Sequence, residues 1–151
     1  MNCKSEFLSI AAPHITTPYA AFIDAGISKV FKDKTILNQL KTLNVHNIPL
    51  ALVPGCIPIS DVEPFPQLWK GINWTFSGGF FVVPLTCVNE WFNLHLTALK
   101  KFLAMGTITW EVCVWASFAN DLKHRIVWYS GPHDDTMITG IPEAVRLVSK
   151  A

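Results

Sequence analysis

Charge is scarce in this sequence. Lys, Arg, Asp and Glu make up 15% of its 151 residues and nearly cancel, leaving a formal net charge of +1. That balance removes the electrostatic case for nucleic acid or for an anionic membrane surface. The adjacent pair Lys100-Lys101 reads as a solvated helix edge. The signatures of several enzyme classes are also missing. There is no GxGxxG and no P-loop to cradle a phosphate, no GxSxG nucleophile elbow and no HExxH zinc site. Cys3, Cys56, Cys87 and Cys113 lie far apart, without a CxxC pair or zinc-finger spacing. They are expected to be buried free thiols of a cytoplasmic, reducing compartment. MNCKSEFLSI lacks the apolar core of a secretory leader. Residues 71–89 hold no charge, yet Asn73, Thr75, Ser77, Gly78, Gly79 and Pro84 interrupt them, so no spanning helix is expected.

What is present is apolar. Half the chain is hydrophobic, enough for one domain with a real core over residues 1–151. Residues 3–12 read as a short helix. YAAFID, 19–24, reads as a buried strand releasing Asp24 at its end. Asp33 can cap a helix carrying Ile36, Leu37, Leu40 and Leu43. IPLALVP, 48–54, is a strand candidate, and the prolines of 55–70 make a loop with room for one helical turn. INWTF and GFFVVP read as two strands broken at Ser77-Gly78. Thr86 can cap a long helix through Met105, and Thr109 a second one with Glu111 in its first turn. RIVWY, 125–129, is a further strand, SGPHDDT a loop, and IPEAVRLVSK a closing helix. Alternating strands and helices predict an α/β fold, a mixed sheet flanked by helices.

Few residues could do chemistry. Asp24 stands where open α/β sheets bind ligands, outside the carboxyl end of a strand; it could equally be a turn former ahead of Ala25-Gly26. Gly78 and Gly79 allow close backbone approach to a ligand, or a simple bulge. Glu111 is a carboxylate between Trp110 and Trp115 in an apolar run. A first-turn Glu is favoured by the helix dipole with no function attached, but its neighbours Thr107, Ile108, Val114 and Trp115 are not those of a solvent-facing residue. His133, beside Asp134 and Asp135, could hold a divalent metal or shape a polar turn. Asp24, Glu111 and His133 all fall at strand ends or helix starts, so one sheet edge can gather them. A metal on Asp24 and His133, beside a second carboxylate, suits transfer of a group from a diphosphate donor.

Five segments, in order, resemble the HtrL/YibB-like (WlaTC-like) glycosyltransferase family. MNCKSEFLSIAA resembles its Asn-x-Lys strand end and helix, FIDAGI (22–27) its I-D-x-G-I segment, and INWTFSGGFFVV its GGFF strand. TWEVCVWA resembles its W-E-V-x-x-W helix, and VWYSGPHDDTMI its W-Y and D-H-N loop. The resemblance implies the C-terminal part of a GT-A glycosyltransferase fold, which moves a sugar from a nucleotide-sugar donor to a glycan hydroxyl. It implies that Asp24 holds a divalent metal (Mn or Mg) and the sugar nucleotide, with His133 completing the metal site. Gly78, Gly79 and Phe80 would line the donor-sugar or acceptor pocket, with Trp110 beside them, and Glu111 would be the catalytic acidic residue that serves as base or orients the sugars. The chain departs from the pattern in having one Asp, not a D-x-D pair, at 22–26. It also has Pro132 where an Asp is expected and Asp134 where an Asn is expected. The first strands of a GT-A fold precede the IDAG-like segment, so the chain is expected to be a fragment or a reduced protein. The rival expectation is a non-catalytic carbohydrate-binding or interaction remnant of such an enzyme. A third is a structural domain that self-associates through an exposed apolar face.

Overall fold

The computed structural model describes residues 2–62 and 71–146. Four strands form one mixed sheet: β1 (Tyr19–Ile23), β2 (Ala51–Gly55), β3 (Phe80–Pro84) and β4 (Ile126–Ser130), in the order β1-β3-β2-β4. β3 is antiparallel to both neighbours, with Ile23 opposite Phe80 and Leu52 opposite Val82. β2 and β4 are parallel, with Ala51 opposite Ile126. The carboxyl ends of β1, β2 and β4 therefore share one sheet edge with the start of β3. The α/β class and the mixed sheet are as the sequence predicts.

β2 and β3 are buried along their whole length, which explains their unbroken apolar runs: each face is covered. On one face Phe81 and Val83 pack with α1 (Lys4–Ala11), α3 (Val88–Ala104) and α4 (Glu111–Ala119). The ring centroids of Phe81 and Trp91 each lie 5.0–5.5 Å from that of Trp115, contacts worth about 0.5–1.5 kcal/mol each beyond area burial. On the other face Phe80 and Val82 pack with α2 (Ile36–Lys41) and α5 (Thr136–Thr139). α4 is buried on nearly every side, as an almost wholly apolar helix must be.

Several sequence expectations need correction. INWTF is not a strand. Asn73 folds it into a turn, its Oδ1 accepting from the Thr75 amide at 2.9 Å. Thr86 and Thr109 cap nothing by side chain: the cap positions are Cys87 and Trp110, neither with a side-chain hydrogen bond. The cap position of α2 is Thr35, two residues after the expected Asp33, whose carboxylate accepts from the Thr35 amide at 2.8 Å and hydroxyl at 2.7 Å. Of the four free cysteines only Cys113 is buried; Cys56 is exposed. The closing helix is a single turn at Glu143–Val145, after which Arg146 bridges to Val45; its last residues, like 63–70 of the proline loop, lie outside the described residues. No helix among the described residues is long and apolar enough to cross a membrane.

Candidate functional site

A cavity of about 380 Å³ opens at the sheet edge where β1 and β4 end and β3 begins. That volume falls within the range of small-molecule sites, roughly 300–1,000 Å³. Asp24, Gly78, Gly79, Trp110, Glu111 and His133 all line it. Topology explains the convergence. Asp24 follows β1, Gly78-Gly79 precedes β3, and His133 follows β4. Glu111 enters from the first turn of α4. The Asp24 amide donates to the Gly79 carbonyl at 2.9 Å, continuing the β1–β3 ladder into the rim. Phe80 is the exception. It is fully buried in the opposite core with Ile27, Leu52 and Met137, because strand alternation turns it under the sheet.

Lys4 also lines this cavity. Its Nζ is 2.6 Å from Glu111 Oε1 and 3.6 Å from Asp24 Oδ2, and donates to the Gly78 carbonyl at 2.8 Å. The Phe22 ring lies beneath it, 5.6 Å from centroid to Nζ. Glu111 is 5% exposed, and its Oε2 is buried with no hydrogen-bond partner among the described residues. A buried carboxylate oxygen left without a donor is costly. Asp24 is more open. Its Oδ1 takes the Gly26 amide at 3.1 Å, and its side chain is 47% exposed. One ammonium against two carboxylates leaves a formal charge of −1.

The walls are aromatic. Trp74 and Trp110 are each about two-fifths exposed, an uncommon state for so large a side chain. Trp74 meets the His133 ring edge-on at 4.9 Å. Burial, and then the Lys4 ammonium, lower the His133 pKa, with Asp24 acting the other way, so the ring is neutral at pH 7. The aspartates beside it are structural. Asp134 accepts from the amide and hydroxyl of Thr136, and Asp135 takes the amides of Lys32 and Asp33. Among the described residues no three of His, Cys, Asp and Glu gather as a metal-binding group.

Lys4, Ile72 and Trp74 are cavity residues that the reading of single positions missed. Lys4 stands in an ordinary amphipathic helix, and nothing local marks its partner at position 111. A second cavity of about 650 Å³ lies between α3 and α4, lined by Glu90, Leu94, Lys101, Phe118 and Asp121; it receives none of the sheet-edge residues. No protein-family model, curated protein or solved structure matches the chain.

Proposed function

We propose that this cavity binds a sugar, and that the chain is a glycosyltransferase domain of GT-A type acting on a nucleotide-sugar donor and a glycan hydroxyl. The observation that carries the reading is a cavity whose lining brings the buried carboxylate residue Glu111 together with the half-exposed Trp74 and Trp110. Sugar recognition uses both features: an aromatic face for the C–H side of the ring and a carboxylate acceptor for its hydroxyls. The ordered resemblance to HtrL/YibB-like enzymes supports the same reading.

In this reading the acceptor hydroxyl oxygen attacks the anomeric carbon of the donor. Its proton passes to Glu111, and the bond from the anomeric carbon to the phosphate oxygen breaks, its electron pair leaving with the nucleoside diphosphate. Asp24 accepts a donor-sugar hydroxyl. The residues present do not fit a divalent metal held by Asp24 and His133, because the Lys4 ammonium already faces Asp24 and lies close enough to His133 to lower its pKa. No step is routed through a metal.

Transfer of radiolabelled sugar from nucleotide-sugar donors onto oligosaccharides tests the proposal. Asp24→Ala and Glu111→Gln should each lower transfer by about 100-fold or more with unchanged circular dichroism. Full transfer by both variants would sink the role assignment. One observation favours the second reading, a non-catalytic glycan-binding module: Glu111 Oε1 is tied to Lys4, which a binding residue tolerates better than a base. Glycan binding without nucleotide-sugar binding, measured by calorimetric titration, would select it.

A further inference from the structure

The environment of Lys4 Nζ is that of a bound cation. Two carboxylate oxygens and one backbone carbonyl converge on it, at 2.6, 3.6 and 2.8 Å. Carboxylate and carbonyl oxygens are the donor set that hard divalent ions take. Here the chain fills the cage with its own ammonium, a compact point charge with three protons. Two of those protons are spent on Glu111 and Gly78. Asp24 Oδ2, at 3.6 Å, is beyond hydrogen-bond reach and is held by charge alone. The Lys4 side chain is only 16% exposed, and its charge is therefore screened little by solvent.

We infer that Lys4 is the resident cation of this site, filling the oxygen cage that a divalent metal would otherwise occupy, so that ligands bind here without metal. The inference deepens the glycosyltransferase reading and takes its ligand from it, but the cage can be tested with no sugar at all. Two positive charges cannot share three oxygens at these distances, so removing the ammonium opens the cage to an external ion. Asp24, Glu111 and the Gly78 carbonyl then supply two negative charges and a neutral oxygen.

The test is titration with Mn²⁺ alone, followed by electron paramagnetic resonance of free Mn²⁺ and by paramagnetic broadening of the Trp74 and Trp110 indole signals. The wild-type chain should show no broadening of these signals at millimolar Mn²⁺. Lys4→Met should bind Mn²⁺ roughly tenfold or more tighter than wild type, broaden both indoles, and lose this on addition of Glu111→Gln. Absence of Mn²⁺ binding in a folded Lys4→Met overturns the inference. So does indole broadening in the wild type that Asp24→Asn removes, and this arm needs no Lys4 variant to fold. Transfer activity is read separately, with and without EDTA. EDTA-resistant transfer supports the inference, and EDTA-sensitive transfer overturns it. No transfer under either condition counts against the glycosyltransferase reading alone, since the Mn²⁺ arms still decide the cage.

Discussion

A methyl group on Gly78 would meet Glu111 Oε1 at 3.0 Å, Val112 Cγ1 at 3.1 Å and Lys4 Nζ at 3.2 Å. The residue is glycine because three side chains close over its backbone. Gly78→Ala is expected to push Lys4 off Glu111 and weaken sugar binding about tenfold, at a stability cost of only about 1 kcal/mol. Calorimetric titration and a thermal melt check both halves. Gly79→Ala is the control, since its added carbon would meet Met137 only at ordinary contact distance, 3.7 Å. At this scale the sequence was informative where chemistry is unusual for its surroundings. A lone carboxylate between tryptophans and an Asp at a strand end both pointed to the cavity that now contains them. Lys4 and Trp74 carried no such contrast. A lysine in an amphipathic helix and a tryptophan in an apolar run look like their neighbours, and only tertiary closure gives them a role.

Among the elements, the segment from 71 to 79 shows where local pattern misleads. Its apolar residues suggested a strand, but the backbone is tied elsewhere: the Cys56 and Ile57 amides donate to Trp74 O, and the Ser77 amide to Pro54 O. It crosses so close to the end of β2 that a Cβ on Gly55 would lie 1.8 Å from Thr75 O and 2.5 Å from Trp128 Nε1. Trp128 Nε1 donates to that same Thr75 carbonyl at 2.7 Å. Gly55→Ala is therefore expected to cost about 3 kcal/mol or more. A melting temperature near that of wild type would show that the crossing can yield. α3 was legible from its apolar stripe at helical period, and β2, β3 and α4 from near-continuous apolar runs that match elements covered on nearly every side. The helix starts were not, because α3 and α4 begin without side-chain caps and are held by the packing of their apolar faces.

At the scale of the whole molecule, the buried titratable group that matters is His95, 1% exposed in the aromatic core beneath α4. Its Nδ1 accepts from Trp115 Nε1 at 2.8 Å, so the neutral ring carries its proton on Nε2. Burial lowers its pKa to about 4, with Glu111 acting weakly the other way. The folded state thus binds the proton less readily than the unfolded chain. Stability is full above the unfolded value near 6.5 and falls as pH drops from there to about 4, by on the order of 3 kcal/mol. Glu90, lowered chiefly by its hydrogen bonds to Arg125, adds a loss only as pH falls through its own, lower range. Urea unfolding at pH 7 and pH 4.5 should show the drop. His95→Gln, which keeps an acceptor for Trp115, should flatten it; an unchanged pH dependence in that variant would assign the loss to other groups.

The cavity's walls are joined across long stretches of chain. Asn2 Nδ2 donates to the Thr109 carbonyl at 2.8 Å, a separation of 107 residues, and Lys4 reaches Gly78 over 74. Lys4 is the first residue of α1 and Asn2 lies two residues ahead of it; α1 is an eight-residue helix whose Phe7 and Ile10 face solvent and which buries only Ser5 and Leu8. So short an element can detach by local opening at a fraction of the free energy needed to unfold the sheet. When it does, the ammonium leaves with it, while Asp24 and Glu111 stay on the β1 end and α4. Occupancy of this site is then set by how firmly one short helix stays docked, and a ligand bound here protects the amides of α1 before those of the sheet.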